Sequence, residues 1–127
     1  LAIVGRRLLT KEILKDEAKR RELNDKGGYL VDRRVKQPSL ERLMTNSRIF
    51  ALETGLATKR IARSIDTASM HGQASMSMLG SSVFAVGDAG KLKESLSGVG
   101  DVFTCKVDTV GPRIVYAVPD SSLVQGE

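Results

Sequence analysis

The apolar residues of this chain change their spacing once, and that switch constrains the fold more than any other feature. Between residues 40 and 69 they recur at helical intervals. From residue 82 onward they fall in short runs rich in β-branched and aromatic side chains, punctuated by glycine. Helices followed by strands in one short chain predict an α+β fold, with helices packed on one face of a small, mostly antiparallel sheet.

The local signals fill in the order. Residues 1–5, LAIVG, suit a short strand and turn. Thr10 can cap a helix to about Asn24, acidic early and basic late as the helix dipole prefers, with Gly27 and Gly28 ending it. Ser39, after Pro38, caps a second helix that carries Leu40, Leu43, Met44, Ser47, Phe50, Ala51 and Thr54 at helical spacing and stops at Gly55. A third helix begins near Thr58, presents Ile61, Ala62, Ile65 and Ala68 on one face, and stops before Gly72. Residues 82–86 read as a buried strand, 91–96 as a short helix between Gly90 and Gly98, and 102–107 and 114–118 as two further strands. This arrangement predicts a ferredoxin-like fold. The last residues, SSLVQGE, read as a frayed tail.

A chain of 127 residues fits one domain with a core of its own, and its 41% apolar and 28% charged residues are ordinary for a globular protein. No apolar run approaches the roughly 20 residues that span a bilayer, so no membrane role is expected. The lone cysteine, Cys105, precludes an intrachain disulfide; the cytoplasm is the expected compartment. The sequence opens at Leu1 without an initiator Met, which leads us to expect that it derives from something longer.

The net charge of +5 is uneven. Residues 1–63 hold 16 Lys/Arg against 8 Asp/Glu, and the remainder 4 against 7. The basic half reads either as solvated helix faces or as a field that concentrates anions. With aromatics at 4% and no Trp, the stacking platforms of a nucleic-acid binder are nearly absent, and that partner is disfavoured.

Chemistry is best sought in residues 72–88, GQASMSMLGSSVFAVGD, where a Ser-rich loop with Gly80 runs into a strand. Small residues let backbone approach a ligand, and successive N–H groups with Ser hydroxyls can face an anion. The same residues also serve a plain tight connection. His71 has no Cys or carboxylate at metal spacing and reads as a surface or helix-end histidine. Met70, Met76 and Met78 read as gap fillers rather than a soft-metal site, and Cys105 as a buried structural thiol. No metal site is expected.

The run SMLGSSVFAVGD resembles the third signature motif of the GHMP kinase superfamily, its Met-Leu-Gly variant being most like the archaeal pantoate kinases. NSRIFALETGL at residues 46–56 is similar to that group's Ser-Arg-x-Phe-Ala-x-x-x-Gly-Leu helix, and the Gly111-Pro112-Arg113 step also fits. The resemblance covers residues 8–118. It implies that the chain is the ferredoxin-like C-terminal domain of a two-domain kinase, facing an N-terminal ATP-binding domain across a cleft. The implied reaction is phosphoryl transfer from ATP, with Mg²⁺, to the hydroxyl of pantoate in archaeal coenzyme A biosynthesis, giving 4-phosphopantoate.

On that reading Ser77, Met78, Leu79, Gly80 and Ser81 form the wall of the substrate and ATP cleft, and Arg48 is the charged contributor, its plainer alternative being a salt bridge. No catalytic residue is expected in this chain. No P-loop of the G-x-x-x-x-G-K-[ST] type and no Gly-Leu-Gly-Ser-Ser phosphate loop is present, so the domain alone is expected to be inactive and to hold neither ATP nor Mg²⁺. The expected partners are the missing N-terminal domain, a small-molecule substrate and, through an uncovered edge or face, a second copy. The alternative is a non-catalytic ferredoxin-like ligand-binding or protein-interaction module, with an RNA-binding accessory domain ranked last.

Overall fold

The computed structural model describes residues 1–5, 10–35, 38–77 and 80–114. The elements run β1 (Ala2–Ile3), α1 (Thr10–Lys15), α2 (Glu17–Val35), α3 (Leu40–Glu53), α4 (Lys59–Ser69), β2 (Gly72–Met76), β3 (Ser82–Gly87), α5 (Ala89–Leu96) and β4 (Asp101–Val102). The four strands form one antiparallel sheet in the order β2-β3-β1-β4. An α+β fold is therefore observed. Its β-α-β-β-α-β succession follows the ferredoxin-like pattern, with four helices rather than one in the first crossover.

Register divides the sheet into two faces. Ala2 lies opposite Val83 and Val102, and Met76 opposite Val83, so these residues and Ala74 share a face. Against it pack Ile61, Ile65 and Ala68 of α4 and Leu92 and Leu96 of α5, giving one continuous buried cluster. The apolar stripe foreseen for α4 supplies its centre, although Ala62 is only half-buried.

The caps of α3 and α4 form as their sequences require. Arg42 N–H donates to Ser39 Oγ at 3.1 Å and Ile61 N–H to Thr58 Oγ1 at 3.3 Å. Gly55 ends α3 with φ of +66°, the left-handed conformation that a side chain disfavours.

Four expectations are corrected. The first helix does not stop at Gly27 and Gly28. It breaks earlier, where Asp16 accepts from Lys19 N–H at 3.0 Å and caps α2, and then runs through both glycines to Val35. The bare Gly27 lies against Phe50 of α3, while Lys26 pairs with Glu53 and Lys19 Nζ donates to Thr54 O. Tertiary packing thus outweighs a propensity cost of about 1 kcal/mol per glycine. Second, residues 72–76 form strand β2 rather than loop, because β3 offers a complete antiparallel partner. Third, the strand expected over 102–107 forms only at Asp101–Val102, since β1 supplies backbone partners no further than the Leu1–Phe103 pair. Cys105 is consequently exposed rather than buried.

Two smaller differences follow from the caps and from coverage. Asp88, not Gly90, bounds α5, and Gly90 lies inside it. Ile114 is exposed and outside any strand, while the rest of the expected strand over 114–118 and the SSLVQGE tail lie outside the described residues. Among the described residues no helix is long and apolar enough to cross a membrane.

The Asp88 cap predicts a pH dependence. Lys91 N–H donates to Asp88 Oδ1 at 3.1 Å and, aided by the Lys91 charge, holds the carboxyl below its ordinary 3.8 despite opposing desolvation. A lowered native value favours the fold above the unfolded pKa and loses that contribution as pH falls through the native one. Thermal midpoints measured from about pH 5 down to about pH 2.5 should fall less steeply in Asp88→Asn, which keeps a cap acceptor without the titration. Equal slopes would refute the linkage.

Candidate functional site

The candidate site is the connection between β2 and β3. The ladder closes at Met76 opposite Val83, after which Ser77 N–H donates to Ser82 O at 3.0 Å and Gly80 N–H to Ser77 O at 3.1 Å. The Ser81 carbonyl accepts from Val4 N–H at 2.7 Å and Gly5 N–H at 3.1 Å, which fixes the connection to the end of β1. Met78 and Leu79 lie outside the described residues.

This geometry limits what the connection can do. The Ser77 and Gly80 amides are turned into the turn itself, so neither is presented to an anion. Ser77, Gly80 and Ser81 are half-buried and carry no acid or base. They can form a close-fitting wall, but they cannot relay a proton as a general acid or base.

Arg48 stands apart from this wall. From α3 its guanidinium donates to Asp66 Oδ1 at 2.6 Å and Ser69 Oγ at 3.0 Å, both on α4. Ser69 ends α4 just before β2 begins, whereas the connection leaves the far end of β2, about 16 Å along a five-residue strand. The geometry makes Arg48 an α3–α4 clasp, in line with the salt-bridge alternative. Other cations of the basic half are also engaged internally: Lys19 and Lys26 reach the end of α3, and Arg60 donates to Val99 O at 2.7 Å.

Two features beside the connection were not read from the sequence. A cavity of about 210 Å³ separates α3 from the hairpin, lined by Ser47, Phe50, Ala51, Leu56, Met76 and Phe84. Ser75, opposite Phe84 in the ladder, is completely buried, and its hydroxyl finds no hydrogen-bond partner among the described residues. Burying such a group unpaired costs about 1–3 kcal/mol. The serines at 75 and 77 were a hint of polarity here, but only pairing with β3 shows which of them is enclosed.

Metal and phosphate chemistry find little support among the described residues. Among the described residues no three His, Cys, Asp or Glu side chains cluster in a way that could hold a metal ion. His71 sits half-buried in the α4–β2 turn, where its carbonyl accepts from Asp88 N–H at 3.3 Å. Met76 is a core residue and Met70 is exposed, so these two share no site. The described residues therefore do not fit Mg²⁺, and the inward-turned amides do not fit a nucleotide phosphate.

No family model matches the chain, and no solved structure matches it significantly. A curated protein does: over 98 residues, 77% of this chain, it is 29% identical to "Pantoate kinase" of Methanocaldococcus jannaschii. The matched region is 36% of that relative, so this chain spans about a third of its length. The similarity supports a kinase-like relationship.

Proposed function

We propose that this chain is the C-terminal domain of an ATP-dependent kinase of the GHMP type that phosphorylates a small hydroxy acid, pantoate being the best-supported acceptor. The observation that carries the proposal is the similarity to pantoate kinase over 77% of this chain, together with the motif resemblances at residues 46–56 and 77–88. The share of the relative left unmatched is consistent with a second, N-terminal domain that binds ATP and Mg²⁺. In this reading residues 77–81 form the cleft wall on which the nucleotide-bearing domain closes. The contribution of this chain is to shape the pocket and exclude water, which matters because phosphoryl transfer relies mainly on positioning and charge stabilisation.

The test is an ADP-release assay on the protein encoded by the complete reading frame, with pantoate, homoserine and mevalonate as acceptors, beside the 127-residue chain alone. Turnover is expected with pantoate and the complete protein only. A complete protein that phosphorylates none of the three would refute the proposal, and turnover by the 127-residue chain would refute the division of labour.

A further inference from the structure

The two stretches singled out in the sequence, residues 46–56 and 77–88, meet around one cavity. Of the residues lining the space of about 210 Å³ between α3 and the β2–β3 hairpin, Ser47, Phe50, Ala51 and Leu56 belong to the first stretch and Phe84 to the second, while Met76 directly precedes the second. The cavity therefore adjoins residues 77–81, the connection assigned above to the cleft wall.

The lining narrows what can occupy it. Among the described residues no charged side chain borders the cavity, and its walls are aliphatic, aromatic and thioether groups with the hydroxyl of Ser47. A second hydroxyl lies beside them. Ser75 precedes Met76 in β2 and stands opposite Phe84 in the ladder, and it is completely buried with no hydrogen-bond partner among the described residues. An ordered water needs about two to four polar partners, whereas an apolar space of about 150 Å³ already takes up a benzene-sized molecule. A charged group would lose its hydration there with nothing to pair with. The occupant that suits these walls is a compact, branched hydrocarbon bearing a hydroxyl, with any carboxylate left outside.

We propose that this cavity is the specificity pocket for the branched carbon body of the acceptor hydroxy acid, with the Ser75 hydroxyl paired to a hydroxyl of that acid. The proposal rests on the kinase reading above and adds to it the feature by which the acceptor is chosen. Pantoate has the required shape: two methyl groups on one carbon, between a hydroxyl-bearing carbon and the hydroxymethyl that receives the phosphate, with the carboxylate at the far end. Homoserine has no branch to set against Phe50, Ala51 and Phe84.

The experiment uses the protein encoded by the complete reading frame, with pantoate and 2,4-dihydroxybutanoate, which is pantoate without its two methyl groups. Filling the pocket with Ala51→Leu is expected to lower the ratio of kcat/KM for pantoate over the unbranched acid about tenfold or more. Ser75→Ala is expected to raise the thermal midpoint of the ligand-free protein, because an unpaired buried hydroxyl is removed, yet to raise the KM for pantoate about fivefold. A purely structural serine would not move the two in opposite senses. Binding is read separately from turnover: in protein labelled with ¹³C at the methionine methyl groups, pantoate should shift the Met76 resonance, identified by its loss in Met76→Leu. An unchanged ratio in Ala51→Leu, an unaltered KM in Ser75→Ala should the first variant not fold, or a Met76 methyl that pantoate does not shift would overturn the pocket, and turnover of pantoate beside any of these would leave the kinase reading standing. A Met76 shift without phosphorylation would refute the kinase reading and leave the pocket in place.

Discussion

Truncation of Ile65 to alanine should destabilise the protein by about 2–5 kcal/mol, read as a lower urea midpoint at an unchanged denaturant slope. Ile65 is completely buried at the centre of α4, on the same face as Ile61 and Ala68 and within the cluster that joins both helices of the sheet's covered face to β2 and β3. The lost methyl and methylene groups account for part of the cost. The remainder is the cavity, which cannot collapse readily because α4 is held at its start by the Thr58 cap and near its end by Arg48. Against a total stability of about 5–15 kcal/mol, a loss of this size would leave a substantial unfolded fraction at physiological temperature. A loss below about 1 kcal/mol would show that the α4–sheet contact does not organise the core.

What the sequence disclosed and what it hid divide along a physical line. Features encoded within one turn or one strand were legible: the Ser39 and Thr58 caps, the left-handed Gly55, the stripe on α4 and the β-branched run of β3 all follow from neighbouring residues. Features that depend on a distant partner were not. Nothing in Gln73, Ala74 or Ser75 favours a strand; β2 exists because β3 lies beside it and α3 and α4 cover it. The passage of α2 through Gly27 and Gly28 goes with contacts to the distant α3 region, Gly27 against Phe50, Lys26 with Glu53 and Lys19 with Thr54 O. At the candidate site the small-residue character of residues 77–81 was legible, but the inward direction of the Ser77 and Gly80 amides depends on the turn formed. The role of Arg48 depends on Asp66, 18 residues on.

The same dependence on a distant partner makes Gly100 the most sensitive glycine at the β1–β4 seam. A Cβ built there would overlap the Ile3 carbonyl, coming within 2.8 Å of its carbon, and would stand 3.3 Å from Val4 Cα; every one of these is a backbone atom with no rotamer by which to withdraw. Gly100→Ala must therefore push β4 away from β1, straining the Ala2–Val102 and Ile3–Asp101 pairs and the Leu1–Phe103 exchange. The expected result is a loss of about 1–3 kcal/mol, with faster amide exchange at Phe103. Exchange at Leu92 and Leu96 should follow global unfolding, since α5 keeps its cap and its packing on β3 and α4. Preserved stability with unchanged exchange at Phe103 would show that the added methyl is accommodated without opening the seam.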